Sequence, residues 1–239
     1  MDFSTKPVSV HEILPWRNLY RQEMNCQIVH DSLHVREGWT LEYFLEAGGV
    51  TAGYGSVLIG GPWKGTRTMF EFYVLPQFRS HAFDLFDCLR ETSSSTAMEV
   101  QSNDALITVM FHVHARNIAS EKIVFEDSVT TAHILDGFTV RKQQDSEGGE
   151  YVLEIDGAQA ARGGILFHYN RPYGDVYMHV EEQFRRRGLG SYMVQEMKKI
   201  CYQTGSIPCA RCSPDNSASR KTLQKAGFVP FAHILTGAL

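Results

Sequence analysis

The run Arg185-Arg186-Arg187-Gly188-Leu189-Gly190 has the residue types and spacing of an anion-binding turn. It lies between a strand pattern at residues 174–180 and a helical pattern at residues 189–202, whose Leu189, Met193, Met197 and Ile200 share one face. A helix opened by a glycine-containing turn leaves its first backbone N–H groups without intrahelical partners. Those donors, with the positive end of the helix dipole, suit a pyrophosphate. Gly188 and Gly190 let phosphate oxygens reach the backbone, and the arginines bring charge. An isolated R-x-x-G-x-G also describes a plain basic turn, so the chemistry needs a second signal.

That signal lies downstream, in the stretch from Asn216-Ser217-Ala218-Ser219 to Ala226-Gly227-Phe228. Asn216 is placed to cap a helix and to offer its amide to a ligand. Gly227 supplies a left-handed helix stop, and Phe228 anchors the chain beyond it. Together the two segments resemble the GNAT acetyltransferase superfamily, whose signature is Q/R-x-x-G-x-G/A followed by N-x-x-A/S and then G-F. The resemblance is clear over residues 151–231 and weak elsewhere.

The resemblance implies an enzyme that moves an acetyl group from acetyl-CoA to a primary amine by direct attack on the thioester. Acetyl-CoA is then a co-substrate, with no metal. In this superfamily it lies where two parallel strands splay apart, and its pantetheine arm pairs with one of them. By position that strand is residues 174–180, with Met178 and Val180 giving main-chain bonds. Arg185, Arg186, Arg187, Gly188, Leu189, Gly190 and Ser191 would wrap the pyrophosphate. Asn216, with Ser219 completing its motif, would stand across the opening.

The reaction requires an ammonium of pKa roughly 10 to lose a proton before attack. Candidate bases on the cofactor strand are Asp175, Tyr177 and His179, and His179 has the reference pKa nearest neutrality. Strand alternation sets His179 opposite Met178 and Val180, so it reads equally as a core side chain, and Tyr177 reads equally as packed on the sheet. Many members of the superfamily carry an acidic tyrosine seven residues after the asparagine; here that position is Leu223. The alternative reading is therefore a non-catalytic acyl-CoA-binding or regulatory protein.

The positioning elements come from periodicity. A capping box at Ser9 and Glu12 opens a helix that Pro15 should kink or restart. Residues 40–59 form a hairpin about Gly48-Gly49, residues 66–74 a strand, 78–89 a helix, 97–100 a strand and 104–115 a helix. After a crossover (122–125, then 138–142) come a hairpin of 151–155 with 163–169, the strand at 174–180, the helix at 189–202, a strand at 207–212, a helix at 217–226 and a strand at 230–235. The fold class is α/β (mixed α+β), with two GNAT-like domains, each a mixed, largely antiparallel sheet flanked by helices.

A duplication supports two domains. Val74-Leu75-Pro76-Gln77-Phe78-Arg79 matches Val180-Glu181-Glu182-Gln183-Phe184-Arg185 at an offset of 185 − 79 = 106 residues. At that offset Gly188 and Gly190 become Ala82 and Asp84, which removes backbone access and sets a carboxylate against phosphate. The expected division is a degenerate domain at 1–127 and an acetyl-CoA-binding domain at 128–239. Only a short polar turn separates 138–142 from 151–155, where the superfamily places acceptor-shaping helices, so the acceptor wall must come from elsewhere in the chain.

Composition narrows the rest. With 23 Lys and Arg against 27 Asp and Glu, the net charge of −4 gives no pull toward nucleic acid or anionic membrane. No apolar run approaches a membrane span. The five scattered cysteines fit a reducing compartment, and with no signal peptide in residues 1–22 the expected location is cytoplasmic. Cys209-Ala210-Arg211-Cys212 lies in a strand pattern without a second pair, and His112 and His114 diverge on a helix. The expected partner is a small-molecule or peptide amine acceptor; oligomeric state is not legible.

Overall fold

The computed structural model describes residues 1–135, 137–143 and 151–239. In chain order the elements are β1 (Phe3–Val8), α1 (Val10–Met24), β2 (Thr40–Ala47), β3 (Val50–Leu58), β4 (Thr68–Val74), α2 (Ala82–Ser93), β5 (Ala97–Gln101), α3 (Ala105–His114) and β6 (Arg116–Asp127). They continue with β7 (Val140–Lys142), β8 (Tyr151–Ile155), β9 (Ala158–Leu166), β10 (Tyr173–Val180), α4 (Leu189–Gln203), β11 (Ile207–Cys212), α5 (Ser217–Lys225) and β12 (Phe228–Ala238). Mixed α and β structure with mostly antiparallel pairing agrees with the expected class.

The chain divides into two compact units: Met1–Glu121 with His233–Leu239, and Lys122–Ala232. This departs from the expected 1–127 and 128–239. The reason lies in β6 and β12, which follow equivalent helices. Residues 123–126 of β6 pair antiparallel with β11, and residues 234–238 of β12 pair antiparallel with β5. Each strand alternates acceptably in sequence, but its partner is set by long-range pairing that periodicity does not carry.

In the first unit β1 to β4 run as an antiparallel meander. Gly48 and Gly49, both at positive φ, make the two-residue turn between β2 and β3. Helices α2 and α3 bury Leu85, Phe86, Leu89, Met110 and Phe111 among Leu45, Val57, Phe72 and Met98. Strand β1 was not expected. Its Pro7 suits an edge, where a missing N–H breaks no ladder.

Helix α1 runs through Pro15 without restarting, held by buried Ile13, Arg17 and Tyr20. At its start Ser9 and Glu12 form the expected capping box, and the Glu12 carboxylate accepts both the Ser9 N–H (2.8 Å) and the Ser9 hydroxyl (2.9 Å). Helix α2 begins at Ala82 rather than residue 78, because Pro76–His81 forms a 3₁₀ turn.

In the second unit β7, β8, β9 and β10 are antiparallel neighbours, and β11 joins β10 in parallel. Leu189, Met193, Val194 and Met197 of α4 pack with Phe125, Leu153, Ala161, Ala210 and Phe228. Buried Lys198 ties this core to the chain around it through Asp127 Oδ1 (2.6 Å), Val129 O (2.7 Å) and Ala226 O (2.8 Å). The expected short turn between residues 142 and 151 falls mostly on 144–150, outside the described residues.

The duplication extends to hydrogen bonds. Arg79 Nε donates to Val74 O at 3.0 Å, and Arg185 Nε to Val180 O at 3.1 Å, both pairs at the 106 offset. Phe78 N donates to Leu75 O and Phe184 N to Glu181 O, each at 2.9 Å. Both copies run strand, 3₁₀ turn, helix, strand, helix, strand.

Candidate functional site

Strands β10 and β11 share a register only through Tyr173↔Ile207, Gly174↔Pro208 and Asp175↔Cys209. Beyond that point β10 stays paired with β9, as far as Val180↔Ala161. The edge of β10 that faced β11 is thereby released from the parallel pairing, and a cleft of about 780 Å³ opens there within the second unit. Met178, His179 and Val180 line one side, and α5 residues the other.

The end of the cleft is the turn into α4. Gly188 is the N-cap at φ +80, a left-handed conformation that glycine adopts without strain. Arg186 also takes a positive φ, +64. The backbone N–H groups of Leu189, Gly190 and Ser191 form the first helical turn, where intrahelical acceptors are lacking. Ser191 Oγ is already used on Gly188 O at 3.0 Å. A Cβ on Gly190 would stand 3.1 Å from Thr222 Cγ2 and 3.6 Å from Met178 Cε, so the glycine keeps the floor of the cleft open.

Arg185 and Arg186 line the cleft, while Arg187 does not. The Arg187 guanidinium lies over the Phe184 ring at 5.5 Å. Part of the Arg185 side chain is spent on Val180 O, so it braces the turn as well as charging it.

Asn216 is the N-cap of α5, and its Oδ1 accepts the Ser219 N–H at 3.0 Å. That bond orients the amide and leaves Nδ2 as a donor for a ligand. Lys221, Thr222 and Lys225 also line the cleft and were missed by the sequence reading. Their signal was present in the i, i+4 spacing of Lys221 and Lys225, which sets two cations on one face of α5. Leu223, on the tyrosine position, is buried in the core and offers no acid.

The three candidate bases separate. Asp175 is buried and held by Arg211, with Nη2 at 2.7 Å and Nε at 3.1 Å from Oδ2. Burial would lower the Arg211 pKa, but the charge and hydrogen bonds of Asp175 together with Tyr169 outweigh it and hold it above the ordinary guanidinium value. Asp175 does not line the cleft. Tyr177 is exposed, with its ring across Gly164, and does not line the cleft. His179 is exposed rather than in the core, because Met178 and Val180 occupy the face packed on the core and alternation turns His179 outward. Its Nε2 stands 3.7 Å from Glu181 Oε1, and it borders the cleft.

A sheet that splays at a parallel pair, with a glycine-arginine turn opening a helix beside the gap, defines the GNAT acetyltransferase fold. Solved structures bear this out. An acetyltransferase from the GNAT family of Colwellia psychrerythraea superposes with a TM-score of 0.76 at 13% identity, covering 99% of each chain. A tandem GNAT protein from the clavulanic acid biosynthesis pathway gives 0.66 at 13% identity, over 99% of this chain and 98% of that one. A GCN5-related N-acetyltransferase from Sphaerobacter thermophilus gives 0.64 at 13%, over 99% and 95%. At these identities the likeness is one of fold. In sequence, residues 165–233 match the FR47-like protein family, and with the fold this bears out the resemblance to the GNAT superfamily. No curated protein matches the chain.

Proposed function

We propose that the protein is an N-acetyltransferase that binds acetyl-CoA in the second unit and passes the acetyl group to a primary amine on a small molecule or peptide. The observation that carries this reading is the cleft where β10 leaves β11 beside the first turn of α4. The pantetheine would add to the released edge of β10 as an extra strand. The pyrophosphate would sit at the N–H groups of residues 189–191, with Arg185, Arg186 and Lys225 balancing its charge. His179 at the cleft border would take the amine proton, directly or through water. The second reading, acyl-CoA binding without turnover, is favoured by the aliphatic Leu223 in place of an acid.

Gly190→Asp tests the site. It sets a carboxylate where the pyrophosphate would lie and crowds Thr222, so calorimetry should show acetyl-CoA binding lost. Asp84→Asn in the first unit should leave binding unchanged. Free-thiol release across an amine panel then separates turnover from binding alone. Equal acetyl-CoA affinity in Gly190→Asp and the parent chain would overturn the site; binding with no thiol release would select the second reading.

A further inference from the structure

The first unit carries its own cavity of about 450 Å³ at the place equivalent to the cofactor cleft. Phe72, Tyr73 and Arg79 line it, the counterparts at offset 106 of Met178, His179 and Arg185. Its other wall begins at Asp104, the N-cap of α3. Asp104 Oδ1 accepts the Ile107 N–H at 3.4 Å, as Asn216 accepts that of Ser219. These caps set an offset of 216 − 104 = 112 for the helices that follow. On that offset Lys221 becomes Val109 and Lys225 becomes Val113, while Gly190 becomes Asp84 at offset 106.

The substitutions all run one way. Lys221, Lys225 and Gly190 give way to Val109, Val113 and Asp84, and Arg186 to Ser80, which removes charge and backbone access that favour a phosphate. The remaining cation, Arg79, is spent on Val74 O and on the Glu23 carboxylate. Asp104 is only 6% exposed. Its Oδ2 is buried without a hydrogen bond of normal geometry, although the Tyr20 hydroxyl acts on the carboxyl. Around it stand Tyr20, Tyr73 and Phe72, with Met24, Leu106 and Val109 closing an apolar wall.

We propose that this cavity binds a small organic cation, an ammonium group on an apolar body, with the ammonium on Asp104 and the body against the aromatic wall. A buried carboxylate bordering a cavity lined by aromatic side chains is chemistry that recognises ammonium. The volume suits a ligand of about ten to twenty heavy atoms. Burial pushes Asp104 up to about 6, against the help of Tyr20 and the Ile107 N–H and with Glu71 adding to the rise. A bound cation would reverse that cost. The site is independent of acetyl transfer in the second unit.

Phenethylamine is a suitable probe, titrated into the full chain by calorimetry or NMR, with 2-phenylethanol as the neutral control. Saturable 1:1 binding is expected, at least about tenfold tighter than the alcohol. Asp104→Asn keeps the helix cap, since asparagine caps as well as aspartate, and should weaken phenethylamine at least about tenfold. Val109→Trp, at an exposed wall position, should fill the cavity and do the same. Gly190→Asp should leave phenethylamine binding unaltered. The proposal is overturned if the alcohol binds as tightly as the amine, if Asp104→Asn and Val109→Trp bind like the parent, if Gly190→Asp removes the amine site, or if no saturation is reached by about 10 mM.

Discussion

His179 shows how little separates a packed side chain from a reactive one. Alternation along β10 fixes that it opposes Met178 and Val180, but not which face the core takes. The core takes the methionine face, leaving the imidazole at the cleft border near Glu181. If it accepts the amine proton, His179→Gln should lower turnover by about 10²-fold, the low end for general base catalysis, with little change in acetyl-CoA affinity. The deficit should shrink as pH rises and free amine becomes available unaided. A pH–rate profile for the variant that overlays the parent would clear His179 of the role.

At the scale of elements, Asn216 and the buried charges of the first unit make separate demands. Removing the α5 cap with Asn216→Ala should cost about 1 kcal/mol and lower the unfolding midpoint by a few degrees. Asn216→Asp should restore the midpoint while weakening acetyl-CoA, because the amide donor is gone. If Asn216→Asp binds acetyl-CoA as the parent does, the amide has no part in binding.

In the first unit Glu71 of β4 is buried beside Arg17 (Nε at 3.4 Å), His34 (Nε2 at 3.1 Å) and the donating Tyr54 hydroxyl (2.8 Å). His34 Nδ1 also stands 2.9 Å from Glu42, which accepts from Ser56. Burial opposes charge on both partners. Even so, Glu71 and Glu42 raise His34 to about 9, and His34 and Arg17 hold Glu71 well below the carboxylate range. The His34 contribution is complete below its unfolded value of about 6.5 and is lost as pH climbs through about 9. That of Glu71 is present above about 4.5 and lost as pH falls. Asp104, raised to about 6, also loses stability as pH rises past its unfolded value. The first unit should therefore be most stable at about pH 4 to 4.5 and lose stability as pH rises, first through about 6 with Asp104 and then from about 6.5 to 9 with His34. All three tryptophans, Trp16, Trp39 and Trp63, belong to it, so thermal melts followed by their fluorescence read this unit. A midpoint that rises between pH 6.5 and 9 would contradict the assignment.

For the whole molecule, the first unit is completed only by the last residues of the chain. Strand β5 shares just two register pairs with β4, whereas five pairs join it to β12. Leu235 and Leu239 also pack on the first unit's core, and a Cβ on Gly237 would stand 2.9 Å from that of Ala115. Ending the chain after Ala232 should expose the β5 edge and lower the tryptophan-monitored midpoint by 10 °C or more, about the loss of one strand's pairing and burial. A fragment of residues 1–127 should not fold cooperatively on its own. Its two-state melting at the full-chain midpoint would refute this dependence.

What sequence alone determined was local. The turn at residues 185–190, the caps at Asn216 and Gly227 and the repeat at offset 106 are legible because each is set by backbone conformation within a few residues. Strand and helix spans followed from periods of 2 and 3.6, missing β1, whose six residues and Pro7 give too short a pattern. Tertiary structure decided the partners. It paired β6 with β11 and β12 with β5, turned His179 toward solvent, drew Asp175 onto Arg211 thirty-six residues away, and brought Lys221 and Lys225 to the cleft. Those outcomes depend on which faces meet across long stretches of chain, and nearest-neighbour spacing holds no record of that.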